Sequence, residues 1–108
     1  MKTAIIYARV SSAGSQESRQ SNERQINSLS EYASLNGYEV EKAFEEHISG
    51  GKKNSERSGL IECLNYARDN KIQTILVSEL SRFGRQIWEV LESIKFCVDN
   101  GINVYFQK

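Results

Sequence analysis

The sequence predicts an α/β fold: a three-layer sandwich with a mainly parallel four-stranded sheet and helices on both faces. Three observations predict it. Four short strand-like runs alternate with three segments of helical spacing. Each gap between strand-like runs has room for a crossover helix, as parallel strands require. The 108 residues suffice for one compact domain and not two, and a chain 39% hydrophobic and 26% charged reads as ordinary globular protein.

The elements follow in order. Thr3 to Ala8 (TAIIYA) is the first strand. Gln25, Ile26, Leu29, Ala33 and Leu35 keep helical spacing, and Asn36-Gly37 supplies a stop. Tyr38 to Phe44 reads as the second strand. The segment HISGGKKNSE, residues 47–56, is polar and Gly-rich and reads as a mobile loop. Leu60, Ile61, Cys63, Leu64 and Ala67 make a second helix that ends near Asp69-Asn70. Thr74 to Val77 is a short buried strand. Ile87, Leu91, Ile94 and Val98 step by four, three and four, which makes one apolar helix face. Gly101 ends that helix, and Ile102 to Phe106 is the fourth strand.

Composition excludes several classes. Fourteen basic and fourteen acidic residues leave a formal net charge of zero, so the chain is no polycation, and any contact with nucleic acid must come from a local patch. No apolar run approaches the roughly 20 residues of a membrane span. The first residues lack the apolar core of a signal peptide. Cys63 and Cys97 fall on the apolar sides of two different helices and read as reduced, buried thiols of a cytoplasmic protein. One histidine, His47, makes no zinc set and has no triad partner.

In open parallel sheets, ligands sit beyond the carboxyl ends of the strands. Arg9, Ser11 and Ser12 follow the first strand; Glu45, Glu46 and then Arg57 follow the second; Arg82 and Arg85 follow the third. Three connections thus bring four arginines and a serine to one edge. Arg82 and Arg85 are expected at the start of a helix, where free N–H groups add positive potential. Such a site suits an anion, because the guanidinium fork matches phosphate oxygens and stays charged. A serine among these arginines could attack phosphorus while they stabilise the transition state. Singly, an arginine near a helix end is usually solvated or ion-paired, and a serine after a strand is usually a cap. Two other chemistries fit less well. The stretch SGGKKNS fails the pattern of a phosphate-binding loop, with Glu46 where the first glycine belongs. Glu45, Glu46 and Glu79 could hold Mg²⁺ for metal-dependent phosphotransfer, but the arginines compete for those carboxylates.

The motifs YARVSS (7–12), SNERQ (21–25), ISG (48–50) followed by ERSGL (56–60), and SRFGRQ (81–86) together resemble the catalytic domain of the serine site-specific recombinases. These are the resolvases, invertases, serine integrases and related transposases. The motifs occur in the family's order and cover nearly the whole chain. The resemblance implies a resolvase-like fold over residues 1–108 and Ser11 as the nucleophile that forms a 5′-phosphoserine link to double-stranded DNA. It implies Arg9, Arg57, Arg82 and Arg85 as active-site arginines. Gln25, Glu46 and Ser81 are the supporting residues, and no metal, ATP or other cofactor is needed. Family members also carry a long dimerisation helix and a DNA-binding domain, so the chain is expected to be a catalytic fragment of a protein that acts as a dimer and tetramer. The sequence departs from the family at Ser81, where resolvases often have Asp, and at Glu46, where Asp is common. A remnant that keeps the fold and only binds a partner is the alternative; retention of Ser11 with all four arginines argues against it.

Overall fold

The structure, a computed structural model, describes residues 2–10, 16–47, 58–84 and 86–107. Strand β1 (Lys2–Val10) leads to helix α1 (Gln16–Leu35), strand β2 (Tyr38–His47), helix α2 (Ser58–Asp69) and strand β3 (Thr74–Val77). A short 3-10 helix (Leu80–Phe83), helix α3 (Ile87–Asp99) and strand β4 (Asn103–Phe106) complete the order. The sheet runs β2-β1-β3-β4, and every pairing is parallel. The expected architecture is therefore observed: one four-stranded parallel sheet between two helical layers.

The pleat of β1 divides the core. Ala4 and Ile6 join Leu76 under Leu29 and Ala33 of α1. Ile5 and Tyr7 face the other way with Ile75 and Val77, under Leu60, Cys63 and Ala67 of α2 and Val90 and Cys97 of α3. Successive strand residues point to opposite faces, so one strand serves both layers. Tyr105 of β4 stacks on Tyr32 of α1 with ring centroids 3.9 Å apart and nearly parallel planes, which fastens the edge strand to its helix.

Several boundaries differ from the sequence reading, for physical reasons. Strand β1 extends through Val10 because β2 pairs with it to the end, Arg9 opposite Glu46 and Val10 opposite His47. Glu45, Glu46 and His47 therefore end a strand instead of opening a loop. Helix α1 begins at Gln16, ten residues before its first apolar position, Ile26, because its early turns are polar and give no periodic signal. Leu35, read as part of the apolar face, is 86% exposed. Of the expected apolar face of α3 only Ile94 packs against the core; Ile87, Leu91 and Val98 are exposed, while Glu89, Val90, Ser93 and Cys97 are buried. The expected loop falls mostly on residues 48–57, outside the described residues.

Candidate active site

The site forms where β1, β2 and β3 end together. Arg9 is buried at the end of β1. By the pleat it lies on the same face as Tyr7 and, by register, beside Glu46. Its main chain is gripped from the opposite layer by Gln25 of α1. The Arg9 N–H donates to Gln25 Oε1 at 3.4 Å, and Gln25 Nε2 donates to the Arg9 carbonyl at 3.3 Å. The same Oε1 accepts the Ser78 hydroxyl at 3.0 Å, just past β3. One amide thus ties the ends of two strands to α1.

Arg82 enters from the third connection. It lies in the 3-10 helix, not at the start of an α-helix as expected. Helix α3 begins only at Ile87, and a capping box occupies its first turn: the Gln86 N–H donates to Glu89 Oε1 at 3.1 Å, and the Glu89 N–H meets the Gln86 side chain. That end is therefore already satisfied by its own residues. The 3-10 helix is anchored through Phe83, which is fully buried edge-on to Tyr7 and Phe106. The Phe83 carbonyl accepts the Ser93 hydroxyl at 3.1 Å. Gly84 closes the turn so tightly that a Cβ there would lie 2.7 Å from the Val90 nitrogen. The motif SRFGRQ is thus partly a packing device that aims Arg82, whose Nη2 lies 4.0 Å from Glu79 Oε1.

Glu46 turns inward. Its carboxylate accepts the Tyr7 hydroxyl at 2.5 Å, the Gly59 N–H at 2.8 Å and the Leu60 N–H at 3.0 Å. It therefore holds the first turn of α2 against the sheet, where a carboxylate is favoured by the helix dipole. Held by these three protein donors, Glu46, expected among the supporting residues, positions the start of α2. Gly59 is needed because a Cβ there would sit 2.8 Å from this carboxyl carbon. Glu45 and Glu46 point to opposite faces of β2, so these two glutamates and Glu79 do not form one metal-binding set.

An open pocket of about 280 Å³ adjoins the strand ends, lined by Arg24, Gln25, Ser28, Ser78, Glu79, Arg82 and Gln107. Of the sequence-predicted residues, the structure thus gathers Gln25 and Arg82 at this pocket and Arg9 beside it. Ser11, Arg57 and Arg85 lie outside the described residues, and of Ser81 only the backbone, in the 3-10 helix, is described. Sequence reasoning missed Tyr7, Ser78, Phe83 and Gly84; the glycines inside ERSGL and SRFGRQ were the signal of close approach. Cys63 and Cys97 are buried free thiols. Burial raises both pKa values, that of Cys97 to about 12, so neither is a nucleophile near neutral pH.

The family model described as Resolvase, N terminal domain matches residues 4–108. The chain belongs to this family. It is 35% identical over 71 residues to the Transposon Tn552 resolvase of Staphylococcus aureus, an overlap of 66% of this chain and 34% of the relative. It is equally similar to the Transposon Tn552 DNA-invertase BinR of the same organism, over 66% of this chain and 35% of that protein. The chain therefore spans about a third of the length of these relatives. Among solved structures, the C-terminal catalytic domain of ISC1926 TnpA, an IS607-like serine recombinase, superposes with a TM-score of 0.81 at 30% identity, over 97% of this chain and 70% of that one. The N-terminal catalytic domain of TP901-1 integrase superposes with a TM-score of 0.79 at 28% identity, over 98% and 77%. Among the described residues no helix is long and apolar enough to cross a membrane.

Proposed function

We propose that this chain is the catalytic module of a serine DNA recombinase, which breaks and rejoins double-stranded DNA through a covalent link to Ser11. The observation that carries this reading is the meeting of Arg9, Gln25 and Arg82 at one sheet edge, with Ser11 two residues beyond Arg9 in the chain. Membership of the resolvase family and likeness to proteins named as resolvase, invertase, serine recombinase and integrase support it.

The reaction exchanges one phosphodiester for another. The Ser11 hydroxyl oxygen bonds to phosphorus, the bond from phosphorus to the 3′ oxygen breaks, and that oxygen leaves as a 3′-hydroxyl. The serine proton passes to the surroundings, and a proton is delivered to the leaving oxygen. The 5′-phosphate remains on Ser11 until a 3′-hydroxyl attacks and reverses the step. Bond energy is conserved in the link, so the chemistry requires no ATP. Arg9, Arg57, Arg82 and Arg85 stabilise charge on the pentacoordinate phosphorus, the work a metal does in other phosphoryl transfers. Gln25 and Ser81 support this set, and Glu46 fixes the helix that starts just after Arg57. The whole protein acts on DNA in the cytoplasm as a dimer that pairs into a tetramer.

The test uses a protein carrying this chain beside a sequence-specific DNA-binding module, with a nicked suicide substrate in EDTA. The expected result is a covalent protein–DNA band on a denaturing gel, lost in Ser11→Ala. Cleavage that strictly requires Mg²⁺ would contradict the reading.

A further inference from the structure

We infer that the pocket between α1 and the ends of β3 and β4 is a second phosphate site, in which Arg24 clamps a DNA phosphate neighbouring the one attacked by Ser11. This inference rests on the recombinase reading and extends it to a residue outside the set of active-site arginines.

Arg24 and Ser28 are four apart on α1 and line the same pocket as Arg82. Exposed helical arginines commonly pair with a carboxylate three or four positions away. Arg24 has Gln20 and Ser21 before it and Asn27 and Ser28 after it at those positions, none of them acidic. Among the described residues no ion pair joins its guanidinium. The remaining walls are hydroxyls and amides fixed by one another: Gln107 Nε2 donates to Ser28 Oγ at 2.8 Å, and Ser78 Oγ donates to Gln25 Oε1 at 3.0 Å. Two guanidiniums, Arg24 and Arg82, against one carboxylate, Glu79, leave the pocket a net charge of +1. That balances one phosphodiester. A volume of about 280 Å³ is at the small end of ligand sites and admits a phosphate with part of its sugar. No base-reading surface is needed, in keeping with the positioning role of phosphate contacts.

The probe is 5′-phosphorylated dithymidine, which carries two phosphates one nucleotide apart. It is titrated into the whole 108-residue chain and followed by the backbone and arginine Nε–H resonances in NMR. The expected result is saturable movement of the Arg24, Ser28, Arg82 and Gln107 signals. Arg24→Gln should bind about tenfold more weakly, the loss of one charge-assisted contact. It should also lower the slope of log affinity against log salt by about 0.7, as for one lost phosphate charge on a single strand. Arg68→Gln removes the same charge from the exposed face of α2 and should change neither value. Binding that persists unweakened in Arg24→Gln would overturn the inference and leave the recombinase reading intact. Absence of binding at this pocket would overturn it too. Loss of Ser11-dependent cleavage, scored separately, would remove the recombinase reading while pocket binding stood.

Discussion

Arg82 and Glu46 illustrate two uses of charge at the same edge. In the proposed reaction Arg82 offers a planar set of donors to a phosphoryl group, where a lysine would offer only a point charge. Arg82→Lys should therefore lower the single-turnover cleavage rate by roughly 10²–10³, the usual cost of one lost transition-state donor. A near-normal rate would reduce Arg82 to a DNA-positioning role. Glu46 works through protein donors: the Tyr7 hydroxyl and the Gly59 and Leu60 N–H groups all donate hydrogen bonds to its carboxylate. In Glu46→Gln one oxygen becomes an NH₂ that must face a donor. Stability should fall by about 1–3 kcal/mol in urea titration, and cleavage should slow because the start of α2 loosens. At this scale the sequence was partly legible. Arg9 and Arg82 could be found because strand ends and motif spacing marked them. The burial of Glu46 could not, since its three donors come from β1 and from α2, distant in the chain.

Helix α3 shows why hydrophobic spacing can select the wrong side. Ile87, Leu91 and Val98 form a regular stripe, yet they face outward. The inner face carries Glu89 and Ser93 because the turn before the helix exposes backbone groups that these side chains satisfy: the Gln86 N–H and the Phe83 carbonyl. Phe83, lying before the helix, supplies the apolar anchor that the stripe was expected to give. The prediction is a contrast. Phe83→Ala should cost about 3–5 kcal/mol, as large truncations in cores do. Ile87→Ser, at a position 67% exposed, should change stability by less than about 0.5 kcal/mol. Equal losses in thermal or chemical melts would restore the outer stripe to the core. The strands were easier to read, because a parallel sheet covered on both faces buries continuous apolar runs such as Thr74 to Val77.

The 108 residues carry no formal net charge, so the DNA contact of the proposed reaction must be local, through a few basic side chains and not the surface as a whole. Its stability has a separate dependence on pH set by the two thiols. Burial holds the folded pKa of Cys97 at about 12, well above the ordinary thiol value of about 9, and raises that of Cys63 as well. Below pH 9 both states keep these protons and stability is unaffected. As pH rises past 9 the unfolded thiols ionise first, so unfolding is favoured and stability is lost toward the folded pKa. The slope should approach about 1.4 kcal/mol per pH unit for each thiol. Cys97→Ala should start less stable but decline less steeply between pH 9 and 11 in urea titrations. An unchanged slope would show that other groups dominate.

The central claim, that this edge of the sheet performs serine-mediated phosphoryl transfer, is tested most directly by the chemistry of the trapped protein–DNA bond. Digestion of the adduct and mass spectrometry should place the DNA on Ser11, through the 5′-phosphate, with a free 3′-hydroxyl on the released strand. A link to Ser12, a link through a 3′-phosphate, or cleavage that proceeds with no covalent intermediate would contradict it.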